Sequence, residues 1–373
     1  MITIELKSLF SPEKIGNVRI QNRTIRSATS ENMATREGQV TDQLIRVYTR
    51  LARGGTGLII TGGVAVHPSS TLTRCAPCLY DDAFLLGQKK LVEAVHEYSE
   101  CKIAIQLVHT GRQTGNKKYQ PVAPSSIPDR IIKRVPRQLK VEEIEDIIKM
   151  FVDAGRKAYE IGYDAIQLHA AHGYLLSNFI SPYSNKRTDE YGGDTKKRTK
   201  ILVEIHNQLR DEVGKNFPII IKLQTQDDVS EGLTLEEGKE ITKIVADTGY
   251  DAIEPSGGGG ESMIRESGIN GLPSRVIESP EDENYFLPTV CQIKPVVNGC
   301  PLILMGGVRN PLSAEKILRE KIADFISMSR PFIYEPNLSN RWENDDTSPA
   351  LCTSCNACYM SIIPMRTLHC IYT

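Results

Sequence analysis

A single-domain (β/α)8 (TIM) barrel is the fold this sequence predicts, and three observations predict it. Eight short strand-like runs alternate with amphipathic helical stretches between Thr24 and Met328, the pattern of a parallel sheet covered by helices. The chain has 373 residues, enough for the ~250 of a plain barrel together with insertions. Its unusual polar residues also gather where the runs end, which is where barrels carry their chemistry. A doubly wound sheet would alternate in a similar way, but no G-x-G-x-x-G follows the first run to anchor it.

Residues 1–22 read as a lead-in with turns at Ser11-Pro12 and Gly16-Asn17. The expected strands are Thr24–Ala28, Gly57–Thr61, Lys102–Val108, Asp164–His169, Pro218–Leu223, Ala252–Pro255, Leu302–Met305 and Asp324–Met328. Among the stretches between them, Val141–Ile161, Arg198–Glu212, Leu235–Thr248 and Pro311–Glu320 carry helical periodicity. Residues 115–140 and 256–286 are rich in Gly, Pro and charge; they follow strands three and six and are lid candidates over the active face. The barrel is assigned to 1–340 and a Cys-rich extension to 341–373.

Lys+Arg 45 against Asp+Glu 46 leaves a net charge of −1, which points away from nucleic acid and anionic membranes as partners. No apolar run reaches the ~18 residues of a membrane span, and the N-terminus lacks the core of a signal peptide. Nine cysteines without a secretory signal suggest a reducing cytoplasm. The expected partner is a small-molecule substrate, and the oligomeric state stays open, a homo-oligomer included.

The densest chemistry lies in Asp164–Gly193. A short strand runs into His169, and His172 and Tyr174 follow within six positions of it, so three proton-handling side chains meet at one strand end. Within that strand Ala165, Gln167 and His169 share a face. Gly306-Gly307 after strand seven and Ser329-Arg330 after strand eight suit a phosphate, which the glycine N–H groups can approach and the arginine can grip with both nitrogens. The plainer reading is two turn glycines and a surface arginine. Lys222 follows three isoleucines, so its ammonium is either buried against an anion or snorkels to the rim. Gln106 offers a donor and an acceptor from a strand end. Together these groups suit a phosphorylated planar cofactor with a hydrogen-bonding edge.

At this point the sequence resembles the old yellow enzyme family of FMN-dependent oxidoreductases across nearly all of residues 8–335. The likeness rests on LFSPEKIGNVRIQNR, IQLVHTGRQ, GYDAIQLHAAHGYLLSNFISPYSNKRTDEYGG, ILMGGVRN and the Ser-Arg after strand eight. The resemblance implies FMN as cofactor and NAD(P)H as reductant. Gln106 and Lys222 would meet the pyrimidine edge of the flavin, Ala28 and Gly63 would line the ring, and Ser30 would sit near the C4 carbonyl. Gly306, Gly307, Ser329 and Arg330 would hold the phosphate. His169 and His172 would grip the carbonyl oxygen of an α,β-unsaturated substrate, and Tyr174 would protonate its α-carbon. Lys222 stands where many members have arginine, and Ser30 where threonine or cysteine is common.

Cys352, Cys355, Cys358 and Cys370 are spaced C-x2-C-x2-C-x11-C, which can ligate a [4Fe–4S] cluster or zinc. The segment looks like the cluster-binding segments of 2,4-dienoyl-CoA reductase and trimethylamine dehydrogenase, multidomain relatives of old yellow enzyme. Three residues follow Cys370, so a further electron-accepting domain is not expected here. The plainer reading is free thiols packed on the barrel. Cys75 and Cys78, with no partner pair nearby, read as loop cysteines.

The expected activity is reduction of the C=C bond of an α,β-unsaturated carbonyl compound with hydride from NAD(P)H, by a ping-pong cycle. Two alternatives stay open: an FMN-dependent amine demethylase of the trimethylamine dehydrogenase type, and a non-redox phosphate-binding barrel. The first would need an aromatic cage for a cation, and Trp342, outside the strand ends, is the only tryptophan.

Overall fold

Parallel strands buried on both faces need apolar, β-branched runs, and this chain supplies them at regular spacing. The computed structural model describes residues 5–71, 73–98, 100–259, 273–362 and 366–373. Its barrel strands are β1 (Thr24–Arg26), β2 (Leu58–Ala65), β3 (Lys102–Val108), β4 (Ala165–Ala170), β5 (Ile219–Gln224), β6 (Ala252–Ser256), β7 (Ile303–Leu304) and β8 (Phe325–Met328). All pair in parallel in the order β6-β5-β4-β3-β2-β1-β8-β7. A bridge between Ile253 and Leu302 joins the two ends and closes the barrel.

Alternation along each strand decides what faces inward. Ile25, Leu58, Ile60, Ala104, Ala165, Ile220, Ala252, Ile303 and Phe325 form one apolar layer inside the barrel. The lead-in folds into an antiparallel hairpin, Glu13–Ile15 with Val18–Ile20, turning at Gly16 (φ +54°). Its Ile15 and Ile20 join that inner layer, so the hairpin plugs the N-terminal end of the barrel. The opposite end, where the strands run out, is left for the site.

The helices close with ordinary signals. Thr234 and Glu237 form a capping box at the start of Leu235–Thr248, and Gly162 in the left-handed region ends Val141–Ile161. Helices Asp42–Arg53, Leu85–His96 and Leu287–Ile293 complete βα units for which the sequence reading named no helix. Among the described residues, no helix is long and apolar enough to cross a membrane.

Strand two departs from expectation. It runs past Thr61 to Ala65, with its register shifted between Ile60 and Gly63. This bulge, at the Gly62-Gly63 pair, places Gly63 inside the strand and opposite Gln106. A Cβ on Gly62 would lie 2.4 Å from the Thr29 carbonyl oxygen, so the close approach to the loop after β1 requires glycine.

Of the lid candidates, the first carries two short paired strands, Val122–Ala123 and Arg137–Gln138. Residues 260–272 of the second lie outside the described residues. The helix Leu338–Glu343, with Trp342 buried, straddles the expected boundary at residue 340. Beyond it the chain returns to the barrel. The Ala350 N–H donates to the Arg309 carbonyl, the Leu368 N–H to the Glu31 carbonyl, and Asn32 Nδ2 to the Arg366 carbonyl.

Because Ile20 is 1% exposed and fills the barrel floor, Ile20→Ala should cost about 2–5 kcal/mol through lost burial and a new cavity. Denaturant titration followed by circular dichroism reads this. A midpoint equal to that of the parent would mean that the hairpin does not plug the barrel.

Candidate active site

One cavity of about 450 Å³ opens at the C-terminal mouth of the barrel. Its wall contains every residue singled out for cofactor or substrate: Ala28, Ser30, Gly63, Gln106, His169, His172, Tyr174, Lys222, Gly306, Gly307, Ser329 and Arg330. They come from seven strand ends, and closure of the barrel is what brings them together.

The floor of the cavity is polar where the layer below is apolar. Lys222 is buried, with Nζ 3.2 Å from Glu254 Oε2 and donating to Ser27 Oγ at 2.9 Å. This favours the anion-paired reading of Lys222 over the snorkelling one. Gln106 Nε2 donates to Gln167 Oε1 (2.7 Å), and Gln167 Nε2 donates to Glu254 Oε2 (2.8 Å).

On the wall above, the His169 ring centroid is 4.8 Å from that of His172 and 4.8 Å from that of Tyr174. The Ala171 N–H donates to His169 Nδ1 at 3.3 Å, which leaves the proton on Nε2 when the ring is neutral. His172 has φ +65°, a costly backbone for a side chain of its size. Two bonds hold it there, from its N–H to Gln224 Oε1 (2.8 Å) and from Gln113 Nε2 to its carbonyl (3.0 Å). Its Nε2 already bonds Ser256 Oγ at 2.7 Å, so Nδ1 is the nitrogen left for another partner.

Burial, then the charge of Lys222, pushes the His172 imidazole down to about 3. Burial, then His172 and Lys222, holds His169 well below the usual imidazole range. Burial, with Tyr359 and Asp129 adding to it, raises the Tyr174 phenol above its ordinary value. Near neutral pH the wall therefore offers two neutral imidazoles and one protonated phenol.

At the other end of the cavity Gly306 and Gly307 both have left-handed backbone, φ +99° and +82°. A Cβ on Gly306 would come within 2.5 Å of Phe286, so the rings of Tyr285 and Phe286 press on the glycine loop. Arg330 commits Nη1 to the carbonyls of Arg275 (2.7 Å) and Ser354 (2.8 Å) and to Asn356 Oδ1 (2.7 Å). A two-nitrogen grip on an anion would therefore draw on the rest of its fork. Thr29 Oγ1 and Ser329 Oγ share a hydrogen bond at 2.7 Å beside it.

Several functional candidates escaped the sequence reading. Glu254 was visible as a charge inside an apolar strand, and Gln167 by sharing the His169 face. Asp129, in the first lid candidate, gave no local signal. It is 1% exposed and lines the cavity; Oδ1 accepts from the N–H groups of Ile131 and Ile132, while Oδ2 is buried without a hydrogen-bond partner.

The donors and acceptors fit a phosphorylated flat ring. Gly63 packs closely beside them: a Cβ there would stand 2.9 Å from Val108 and 3.6 Å from Gln106 Oε1. Buried Nε atoms of Arg275 and Arg309 have no hydrogen-bond partner; Arg309 follows Gly307 by two positions, and Arg275 stacks over Tyr285, whose ring covers both glycines.

The C-terminal cysteines are close to one another but not converged. After burial, the largest cause, Cys352 and Cys370 raise the Cys358 thiol, and Cys370 raises that of Cys352. Cys355 is exposed. Among the described residues no group of three or more His, Cys, Asp or Glu side chains is arranged to hold a metal ion. Cys75 is half-buried and Cys78 buried, and neither forms a disulfide.

One closed parallel barrel thus joins at its mouth a pair of left-handed glycines, an amide–lysine floor and a His/His/Tyr wall. Residues 8–347 match the NADH:flavin oxidoreductase / NADH oxidase family, and the chain belongs to it. Members bind FMN and use NAD(P)H. The chain is 38% identical over 354 residues to an NADH oxidase of Thermoanaerobacter brockii, covering 94% of this chain and 53% of that protein. Among solved structures it is similar to a 2-naphthoyl-CoA reductase complex (TM-score 0.90, 26% identity, 99% of this chain and 57% of that one). It is also similar to an old yellow enzyme homologue from Zymomonas mobilis (TM-score 0.76, 26% identity, 93% and 96%). The chain spans about half the length of the first curated relatives it matches, 53% of each.

The depressed histidines set a pH dependence. An unfolded chain protonates its imidazoles near 6.5, whereas the folded His172 stays neutral down to about 3. Between those values the unfolded state binds more protons, so stability falls as the pH drops from about 6.5 towards 3. His172→Asn should flatten that part of a plot of melting temperature against pH. An unchanged slope would show that His172 titrates normally in the fold.

Proposed function

We propose that this oxidoreductase reduces the C=C bond of an α,β-unsaturated carbonyl compound. When bound, FMN would supply the redox chemistry, taking hydride from NAD(P)H and passing it to the β-carbon. The carrying observation is the wall of two neutral imidazoles and a protonated phenol within ring-contact distance of one another.

His169 would donate from Nε2, and His172 from Nδ1, to the carbonyl oxygen of the substrate. Charge builds on that oxygen as the alkene accepts hydride, so donors aimed there stabilise the transition state more than the ground state. Neutral imidazoles suit the task, since they donate without needing a counter-ion in a buried wall. Tyr174 would then protonate the α-carbon; its raised pKa keeps the proton available throughout the neutral range. A similar protein is named for 2-naphthoyl-CoA, whose carbonyl is conjugated with the group next to it. No cage of aromatic faces for a cationic amine is formed by Trp342, which is buried and bonds the Ser348 carbonyl through Nε1.

Tyr174→Phe should leave reduction of the flavin by NAD(P)H unchanged and slow its reoxidation by an enone, by about 10²- to 10⁴-fold if the phenol is the general acid. Stopped-flow absorbance separates the two half-reactions. Equal reoxidation rates in parent and variant would remove Tyr174 from this role.

The four C-terminal cysteines belong to the same proposal, as ligands of a [4Fe–4S] cluster. Their spacing supports it; the unconverged geometry means that no chemical step above is drawn through it. Anaerobically purified protein should carry iron with matching acid-labile sulfide, and Cys358→Ser should lose both. Zinc alone, or neither, defeats this assignment.

A further inference from the structure

Glu254 is completely buried, 0% exposed, and no step above uses it. Four donors converge on its two oxygens. Ser27 Oγ and Ser327 Oγ donate to Oε1, each at 2.8 Å. Gln167 Nε2 donates to Oε2 at 2.8 Å, and Lys222 Nζ stands 3.2 Å from the same atom. A carboxylate with every lone-pair position taken by a donor can only accept.

This has a directional consequence. An amide has two unlike ends, and which one points where is settled by its partners. Because Glu254 accepts, Gln167 must turn its NH2 towards it. Gln167 Oε1 then faces the other way and accepts from Gln106 Nε2 at 2.7 Å. Gln106 in turn has its NH2 engaged below, so the end it offers to the cavity is the carbonyl Oε1. The atom lies on the side of Gly63, 3.6 Å from where a Cβ there would stand. Lys222 is constrained in the same way. Two of its N–H groups go to Glu254 and Ser27, and the third meets Met305 Sδ at 3.7 Å, a weak acceptor that a ligand oxygen would displace.

We propose that Glu254, acting through Gln167, is a positioning residue that fixes the polarity of the cavity floor: Gln106 accepts, Lys222 donates, and the floor selects a ligand edge with an N–H beside a carbonyl. The flavin imide, N3–H next to C2=O, is such an edge, and the inference rests on FMN occupying this cavity. A floor of the opposite polarity would leave a buried donor facing N3–H, and unpaired buried polar groups are costly. Glu254 has a second effect. It balances the charge of Lys222, so the floor meets the reduced flavin with less net positive charge than a lone cation would.

The test compares FMN with 3-methyl-FMN, in which a methyl group replaces the N3 hydrogen and so removes the donor. Apo-protein is titrated with each, and the dissociation constants are read from flavin fluorescence. The parent should prefer FMN by about tenfold or more, the discrimination expected for one buried hydrogen bond. Glu254→Gln and Gln167→Met should each bring that ratio towards one, because Gln106 is then free to reverse. Glu254→Gln should also move the flavin midpoint potential upwards by unmasking Lys222.

A merely structural Glu254 would weaken both flavins alike, so an unchanged ratio in a folded variant overturns the proposal. So does a parent that binds both flavins equally, a result that needs no variant at all. A parent that binds neither flavin overturns the FMN reading instead, which keeps the two failures apart. Should Glu254→Gln not fold, Gln167→Met carries the same comparison with the Lys222–Glu254 pair intact.

Discussion

A carboxylate and an ammonium buried inside a barrel are the constraint on which the rest of this site depends. Taking two charges out of water costs several kcal/mol each, and their attraction repays it only when the remaining hydrogen-bonding positions are filled. Glu254 and Lys222 meet that condition by drawing partners from across the barrel. Ser27 follows β1, Gln167 comes from β4, Lys222 from β5 and Ser327 from β8. The network thus staples strands that the sheet order keeps apart, and it does so one layer above the apolar floor. Stability and function share these atoms: the contacts that make the pair tolerable also hold Gln106 and Lys222 still beneath the cavity.

The same cation reaches the wall. Lys222 contributes to lowering both His169 and His172, after burial, so the floor helps keep the wall neutral. Burial does most to hold the Tyr174 phenol protonated, with Tyr359 and then Asp129 adding to it. Burial thus sets the protonation states of the cavity, and the neighbouring charges reinforce them. That arrangement suits a reaction in which charge appears transiently on substrate oxygen and is quenched by a proton from the wall.

How much of this could be read from the residues depends on the range of the signal. Strand positions were legible to within one or two residues wherever an apolar run was bounded by turns, as for Lys102–Val108. The His169/His172/Tyr174 group was legible because all three lie within one strand end. Gly306-Gly307 and Ser329-Arg330 were legible because adjacent loops of a barrel share one pocket. What failed was longer-range. Strand β2 runs four residues past its expected end because a bulge, set by the close approach of Thr29, redirects it. Glu254 is visible as a charge inside an apolar strand, but its role is not, since its partners are up to 227 positions away. The plug made by Ile15 and Ile20 reads locally as a mere lead-in, because its burial depends on a barrel that the hairpin itself does not encode.

The C-terminal extension shows the same long-range logic. Treated as an appendage, its cysteines are a spacing pattern and nothing more. In the fold, the segment between Cys352 and Cys358 supplies two of the three acceptors on Arg330 Nη1, Ser354 O and Asn356 Oδ1, and Asn356 Nδ2 ties back to the Ser274 carbonyl. Ser354 and Asn356 both have left-handed backbone, φ +59° and +62°, a conformation that ordinary side chains keep only when their surroundings impose it. Ser354 and Tyr359 also line the cavity. The side of the cavity expected to take the phosphate is therefore built partly from the cysteine segment.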